Sequence, residues 1–336
     1  MPTTRVIKCL SDEQVASKLK DAVDVLRAGG LVVFPTETVY GLGANALDVS
    51  AVHKVYEVKG RPSDNPLIVH VSSLEDVNQF TSSIPPKGLR LAKKYWPGPL
   101  TLVLNRKNDI PDVVTAGLNT VAIRVPDHPV TIELLKQFNG GLVGPSANIS
   151  GRPSPTTVNH VLQDLEGKVD IILDAGSTNI GVESTVVDVT TDPPHVLRLG
   201  GLLIEDIEAE IGEIKHATKE NLLRRSPGTR HRHYAPHARV ILVQSENSNE
   251  LLKHLELLKT KNKKIGIISY SESLKVIEPS KYHIRMEPSI KSIAKNIFHA
   301  LRELDKYEVE VILVESVSEN GLGAAVMDRL RKASLQ

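Results

Sequence analysis

The feature that most constrains this chain is a regular exchange between two hydrophobic periods. Short apolar runs of strand length are bounded by Gly, Pro, Asn and Asp: LVVFPT (31–36), PLIVHV (66–71), LTLVLN (100–105), TVAIRV (120–125), GLVGPS (141–146), VDIILDA (169–175), STVVDV (184–189) and HVLRL (195–199). Between several of them lie stretches with helical spacing, such as PVTIELLKQF (129–138) and TTVNHVLQDL (156–165). Upstream, SDEQVASKLKDAVDVLRAGG (11–30) sets Ser11 and Gln14 at capping-box spacing, places Val15, Leu19, Ala22, Val23 and Leu26 on one face and closes on Gly29-Gly30. This alternation predicts an α/β domain with a mixed sheet over residues 1–212.

The rhythm breaks between Lys215 and Arg239, where KHATKENLLRRSPGTRHRHYAPHAR holds seven Lys or Arg, four His, two Pro and one acid. We read residues 213–238 as a linker. Strand and helix signals then resume in RVILVQ (239–244), NELLKHLELLKT (249–260), KIGIISY (264–270), YHIRM (282–286), SIKSIAKNIFHALREL (289–304), VEVILVES (309–316) and LGAAVMDRLRKA (322–333). They predict a smaller Rossmann-like domain over 239–336, without the G-x-G-x-x-G turn that a dinucleotide requires.

Composition narrows the function classes. A formal net charge of +1 argues against charge-driven nonspecific nucleic-acid binding. The single cysteine, Cys9, excludes an intrachain disulfide and leaves no second thiol for a zinc cluster. The opening MPTTRVIKCLSDEQ has no long apolar core, and no run reaches membrane-spanning length, so the expectation is a cytoplasmic protein without membrane association.

Several polar clusters follow strands, where α/β folds place ligands. FPTETVYGLGANA (34–46) carries Thr36, Glu37, Thr38 and Tyr40 ahead of Gly41 and Gly43, as a tight turn or as a place where backbone approaches a ligand. In KGRPSDNPL (59–67), Lys59 and Arg61 suit phosphates and Ser63 suits hydrogen bonding, with a solvated charged loop as the alternative. Arg124 sits inside an apolar strand; it needs an anion or acidic partner if buried, and faces water otherwise. GPSANISGRPSPT (144–156) imitates a nucleophile elbow but puts Asn148 where G-x-S-x-G has its second glycine, so Ser146 reads as a ligand donor before a nucleophile. His231, His233 and His237 have mixed spacing and read as hydrogen-bonding residues of the linker before metal ligands.

Taken in order, PTETVYGLGANA, KGRPSDNPL, WPGPLTLVL, VAIRVPDHP, GPSANISGRPSPT, ESTVVDV, LRLGG and SPGTRHRHYAPHA resemble the YrdC-type L-threonylcarbamoyladenylate synthases in their two-domain long form. The resemblance covers residues 11–238 by motif and the rest by position and pattern. It implies a domain with a large concave cavity that condenses L-threonine, bicarbonate and ATP into threonylcarbamoyl-AMP and pyrophosphate. A separate threonylcarbamoyl transferase complex would then modify an adenosine beside the anticodon of certain tRNAs. By motif, Thr36, His70, Arg124 and Ser184 match threonine contacts. Lys59, Ser63, Thr120, Ser146, Ser154, Arg198 and Tyr234 match nucleotide contacts, and Arg61 and Asn148 complete the K-x-R and S-x-N signatures. The departure is Thr229, Arg230 and His231, in a stretch the family often fills with Met, Lys and Tyr.

The implied chemistry crowds several anions together, so cations suit it better than a covalent nucleophile. Mg²⁺ is expected to ride mainly on the ATP phosphates, because no compact carboxylate cage is visible. Two other classes remain: a Ser-dependent amidohydrolase using Ser146 with a histidine such as His70, and an RNA-binding module using the basic linker. The linker is also expected to act as a lid, with Arg230, Arg232, His233 and Tyr234 closing over the anionic site.

Overall fold

The computed structural model describes residues 3–9, 15–218, 220–226, 233–244, 253–258, 263–270 and 280–335. Ser11, Gln14 and the expected lid residues Arg230 and Arg232 lie outside them. The chain divides into two compact units, one of residues 1–150, 155–179 and 183–231, the other of residues 151–154, 180–182 and 232–336.

In chain order the first unit runs β1 (Arg5–Lys8), α1 (Val15–Arg27), β2 (Val32–Phe34), β3 (Gly41–Asn45), α2 (Val49–Lys59), β4 (Ile68–His70), α3 (Pro86–Tyr95), β5 (Leu100–Asn105) and α4 (Asp112–Thr115). It continues with β6 (Thr120–Arg124), α5 (Pro129–Phe138), β7 (Leu142–Val143), α6 (Val158–Leu165), β8 (Ile171–Asp174), β9 (Thr185–Asp188), β10 (His195–Arg198), α7 (Ile204–Ile211), β11 (Lys215–His216) and α8 (Glu220–Leu223). The eleven strands form one mixed sheet in the order β1-β8-β2-β3-β7-β4-β6-β5-β9-β10-β11.

Strand alternation splits the apolar side chains between two faces. Val32, Phe34, Ile171 and Leu173 pack on one face with Leu19 and Leu26 of α1 and Leu134 and Leu135 of α5. Val33, Val69, Ile123, Ile172 and Leu102 face the larger core, with Val52 and Val55 of α2, Leu91 of α3 and Val161 of α6.

Two elements depart from the sequence expectation. The segment after Phe34 does not stay a turn: Gly41–Asn45 is β3, antiparallel to β2. Glycines lower strand propensity and hide such a strand, yet this packing excludes side chains there. A Cβ on Gly43 would lie 2.7 Å from the Val32 carbonyl oxygen, and one on Gly41 2.8 Å from the Phe34 ring. Residues 215–218 and 220–226, within the stretch read as linker and lid, group with the first unit. Lys215–His216 pairs with β10, Ala217 and Leu222 pack against Ile68, Val103, Ala122, Val186 and Leu197, and Arg225 donates to the fully buried Asp188 at 2.8 Å.

The second unit has β12 (Arg239–Val243), α9 (253–258), β13 (Ile265–Ser269), β14 (His283–Arg285), α10 (Ile290–Lys306), β15 (Val311–Glu315) and α11 (Leu322–Ser334). Its sheet, β12-β15-β13-β14, is parallel throughout. The two short segments assigned to this unit are packed on α10. Arg302, 1% exposed, donates to the Pro153 carbonyl at 3.0 and 2.6 Å, and a Cβ on Gly181, at φ +83°, would lie 2.4 Å from Ala294 O.

Gly43→Ala is expected to destabilise the protein by about 1–3 kcal/mol, because the obstructing atom is backbone and cannot rotate away. A lowered denaturant midpoint at unchanged slope checks this.

Candidate active site

The face opposite the larger core changes character along the sheet. Val121 and Ile123 of β6, and Val125 just after it, enter that core, which sends Ala122 and Arg124 to the other side. The same alternation puts Ile68 and His70 of β4, Thr101 and Val103 of β5, and Ser184 and Val186 at β9 on Arg124's side. His70 and Arg124 are direct partners in the β4–β6 register. One end of this face is thus apolar and the other is polar.

Arg124 is 4% exposed and does not face water. Its Nε donates to Gly98 O at 3.2 Å, its Nη1 donates to Thr38 Oγ1 at 2.9 Å, and its Nη2 lies 2.7 Å from Glu37 Oε2. The last contact is close but out of line for a hydrogen bond, so Nη2 and both Glu37 carboxylate oxygens have no hydrogen-bond partner. The turn presenting Glu37 is fixed by Thr36, whose Oγ1 donates to Val39 O at 2.6 Å and accepts from Thr38 N and Val39 N at 3.1 and 3.2 Å. His70, 2% exposed, stands edge-on to Phe34 with its Nδ1 unpartnered. Burial, and then the Arg124 guanidinium, hold its pKa well below the ordinary imidazole value.

Lys59 ends α2, and Gly60 at φ +58° terminates the helix in the left-handed conformation that glycine adopts without strain. The Lys59 side chain is 1% exposed and donates to two backbone carbonyls, Ser146 O at 2.5 Å and Asn148 O at 2.6 Å. The K-x-R and S-x-N motifs therefore form one structural piece. Arg61 donates to Asn65 O and Pro66 O at 3.3 and 3.0 Å, and Tyr56 OH donates at 3.0 Å to Asn65 O, which stitches this loop together. Ser63 is exposed. Ser146 is half-buried and bridges to Gly41, which brings its turn beside the one that carries Glu37.

A third group forms around Ser184, whose Oγ lies 2.8 Å from Thr101 Oγ1 and accepts from Arg198 Nη2 at 3.1 Å. Arg198 also donates to Ser184 O from Nε and Nη2, at 3.1 and 2.9 Å. The loop preceding β5 links this group to the first: Gly98 N donates to Val125 O, and Pro99 O accepts from Thr185 N, both at 2.9 Å. Thr120 is buried at the start of β6. Among the described residues no hydrogen bond joins Ser146 to His70, and no three His, Cys, Asp or Glu side chains are grouped to hold a metal ion.

A family model described as Telomere recombination, for the Sua5, YciO and YrdC proteins, matches residues 24–200, and a model of the threonylcarbamoyl-AMP synthase C-terminal domain matches residues 202–334. The chain belongs to this family. It is 48% identical over 324 residues to the threonylcarbamoyl-AMP synthase of Pyrococcus abyssi, covering 94% of each chain. It is 42% identical to that of Bacillus subtilis, covering 99% of this chain and 98% of the other. The structure of Pyrococcus abyssi Sua5 complexed with L-threonine superposes with a TM-score of 0.92 at 44% identity, covering 98% of this chain and 97% of that one.

Of the residues that the family motifs single out, Ser154 and Tyr234 lie in the second unit. Ser154 is fully buried. Tyr234, at φ +64°, stacks its ring on Phe298 with 5.4 Å between centroids, and the Arg329 guanidinium lies 5.2 Å from its centre. A tyrosine held at positive φ is strained and is kept there by its surroundings. Glu37, Thr38 and Thr101 join the polar groups around Arg124 and Ser184, and the family motifs single out none of the three. The usable signal for Glu37 was an acid between two threonines directly after an apolar strand, in a chain with an arginine inside another.

Across the described residues no helix is long and apolar enough to cross a membrane.

His70 and His128 both have folded-state pKa values lowered by burial; for His128 the Glu37 and Asp127 carboxylates oppose the shift. Below about pH 6.5 the unfolded chain therefore binds more protons than the folded one, and stability falls as pH drops, by up to about 1.4 kcal/mol per pH unit for each group. His70→Gln is expected to flatten the stability profile between about pH 5 and 6.5, measured as denaturation free energy against that of the unsubstituted protein.

Proposed function

We propose that this protein makes threonylcarbamoyl-AMP and pyrophosphate from L-threonine, bicarbonate and ATP, as the first step of threonylcarbamoyladenosine formation in tRNA. The observation that carries this reading is a buried set of cations and hydroxyls in which, among the described residues, Ser146 and His70 are not paired, in a chain alike over nearly its whole length to threonylcarbamoyl-AMP synthases. The reaction brings together a carboxylate, a carbamate and a triphosphate, and its attacking group is the carbamate oxygen. The protein's task is then to hold anions close and in line, which fixed cations do at little reorganisation cost.

In this reading Arg124 takes the threonine carboxylate through Nη2, with Thr36, His70 and Ser184 around the rest of the amino acid. Lys59, Arg61, Ser63, Thr120, Ser146, Asn148 and Arg198 serve the nucleotide. Ser154 and Tyr234 keep the nucleotide assignment that the family motifs give them. ATP enters as its magnesium complex, with Mg²⁺ held mainly by the phosphates; the described residues gather no carboxylate cage to compete for it. The product is a mixed anhydride, which a threonylcarbamoyl transferase complex must consume before water does. An amidohydrolase built on Ser146 is disfavoured, because His70 makes no bond to it and keeps its Nδ1 unpartnered.

Pyrophosphate release should require threonine and bicarbonate together. Arg61→Ala is expected to lower it by about 10²–10³-fold. Lys59→Ala should lower it as well, together with the hold that Lys59 has on the turn after β7. Tyr234→Ala should impair the same release. Release that is independent of threonine, or unchanged in Arg61→Ala, would overturn the reading, and salt-sensitive tRNA binding without ATP turnover would favour an RNA-binding module.

A further inference from the structure

The Arg124–Glu37 pair is unevenly anchored. The guanidinium keeps two in-line bonds, to Gly98 O and Thr38 Oγ1, that do not involve Glu37. The carboxylate has none: neither oxygen has a hydrogen-bond partner, although the side chain is only 6% exposed. What holds Glu37 is its backbone, whose carbonyl accepts from Asn179 N at 3.1 Å, between threonines fixed on either side. A purely structural buried ion pair recovers its desolvation by satisfying every lone pair. Here the unused atoms, Glu37 Oε1 and Oε2, Arg124 Nη2 and His70 Nδ1, belong to residues gathered around one buried spot.

An amino acid carries a carboxylate and an ammonium on one carbon, and so presents the complement of an Arg–Glu pair. Entering the site, it can exchange partners with the pair, carboxylate onto Arg124 and ammonium onto Glu37, without leaving any charge buried and unpaired. Arg124 alone would leave the ammonium uncompensated.

We propose that Glu37 is a further catalytic residue, which holds the α-ammonium of the amino-acid substrate and accepts a proton from it. The role rests on the threonine reading above. One N–H bond of the ammonium breaks, its electron pair stays on nitrogen, and the proton forms an O–H bond on the Glu37 carboxylate. The amine lone pair then forms the N–C bond to bicarbonate. The bond from that carbon to the hydroxyl oxygen breaks, and the oxygen leaves as water with a second proton from nitrogen, giving the carbamate. Glu37 passes its proton to water on turnover. A transfer that removes two buried charges at once is less uphill in such a site than in bulk water.

Glu37→Gln in the full chain separates this role from a structural one, because two ligands should respond with opposite signs. Threonine-dependent pyrophosphate release is expected to fall by about 100-fold in kcat/KM for threonine. By calorimetry, 2,3-dihydroxybutyrate, which is threonine with a hydroxyl in place of its amine, is expected to bind about fivefold more tightly than to the unsubstituted protein, since Arg124 no longer has an internal carboxylate to release. Glu37→Asp keeps the charge and should keep the weaker affinity for this acid, and it carries the test if Glu37→Gln does not fold. Turnover in Glu37→Gln within about threefold of the unsubstituted enzyme would overturn the role, as would equal weakening of both ligands, or tightened acid binding in Glu37→Asp. An unsubstituted enzyme lacking threonine-dependent release would overturn the function reading itself, and this role with it.

Discussion

A guanidinium buried in the middle of a sheet is the constraint on which the site depends. Taking such an ion out of water costs several kcal/mol even after relaxation, and Arg124 offsets this only by gathering acceptors from separate segments. Gly98 supplies one from the loop before β5 and Thr38 another from the turn after β2, where Glu37 adds an opposite charge without a hydrogen bond. Each of those segments fixes another. The Gly98 loop reaches Thr185 through Pro99 O and so sets Ser184 beside Thr101 and Arg198, while Thr38 is held to Thr36. The positions proposed to contact threonine are therefore arranged around one side chain, and loss of its charge would loosen all of them together.

Lys59 plays the corresponding part for the loops assigned to the nucleotide. Its ammonium joins the end of α2 to the turn after β7 through two carbonyls. The charge proposed to serve phosphate chemistry thus also holds backbone, and a loss of activity at Lys59 would mix two causes. Arg61 likewise holds backbone, the Asn65 and Pro66 carbonyls of its own loop.

Much of the first unit was legible because its strands are apolar runs with sharp ends. LTLVLN is β5 without adjustment, TVAIRV loses only its last residue, and VDIILDA is shortened at both ends. β3 was not legible, since GLGAN has neither a β-branched nor an aromatic residue, and its glycines answer to Phe34 and Val32, which only the folded sheet brings near. Within the basic stretch, Ala217 and Leu222 pack against an apolar patch, a seat to which its composition does not point. In the site, alternation tells which face Arg124 occupies and not what covers that face, so buried and exposed readings stayed open until Glu37 was placed against it. The motif resemblance named the cations and hydroxyls; the ion pair needed three dimensions, because no spacing rule links a turn after β2 to the end of β6.

The central claim is that Arg124 exchanges an internal carboxylate for that of an amino acid. A crystal structure of this protein with L-threonine tests it most directly. The account requires the threonine carboxylate on Arg124 Nη2 at about 2.7–2.9 Å, with Glu37 turned from the guanidinium onto the α-ammonium. Threonine bound elsewhere, with the 2.7 Å contact between Arg124 and Glu37 intact, would contradict it.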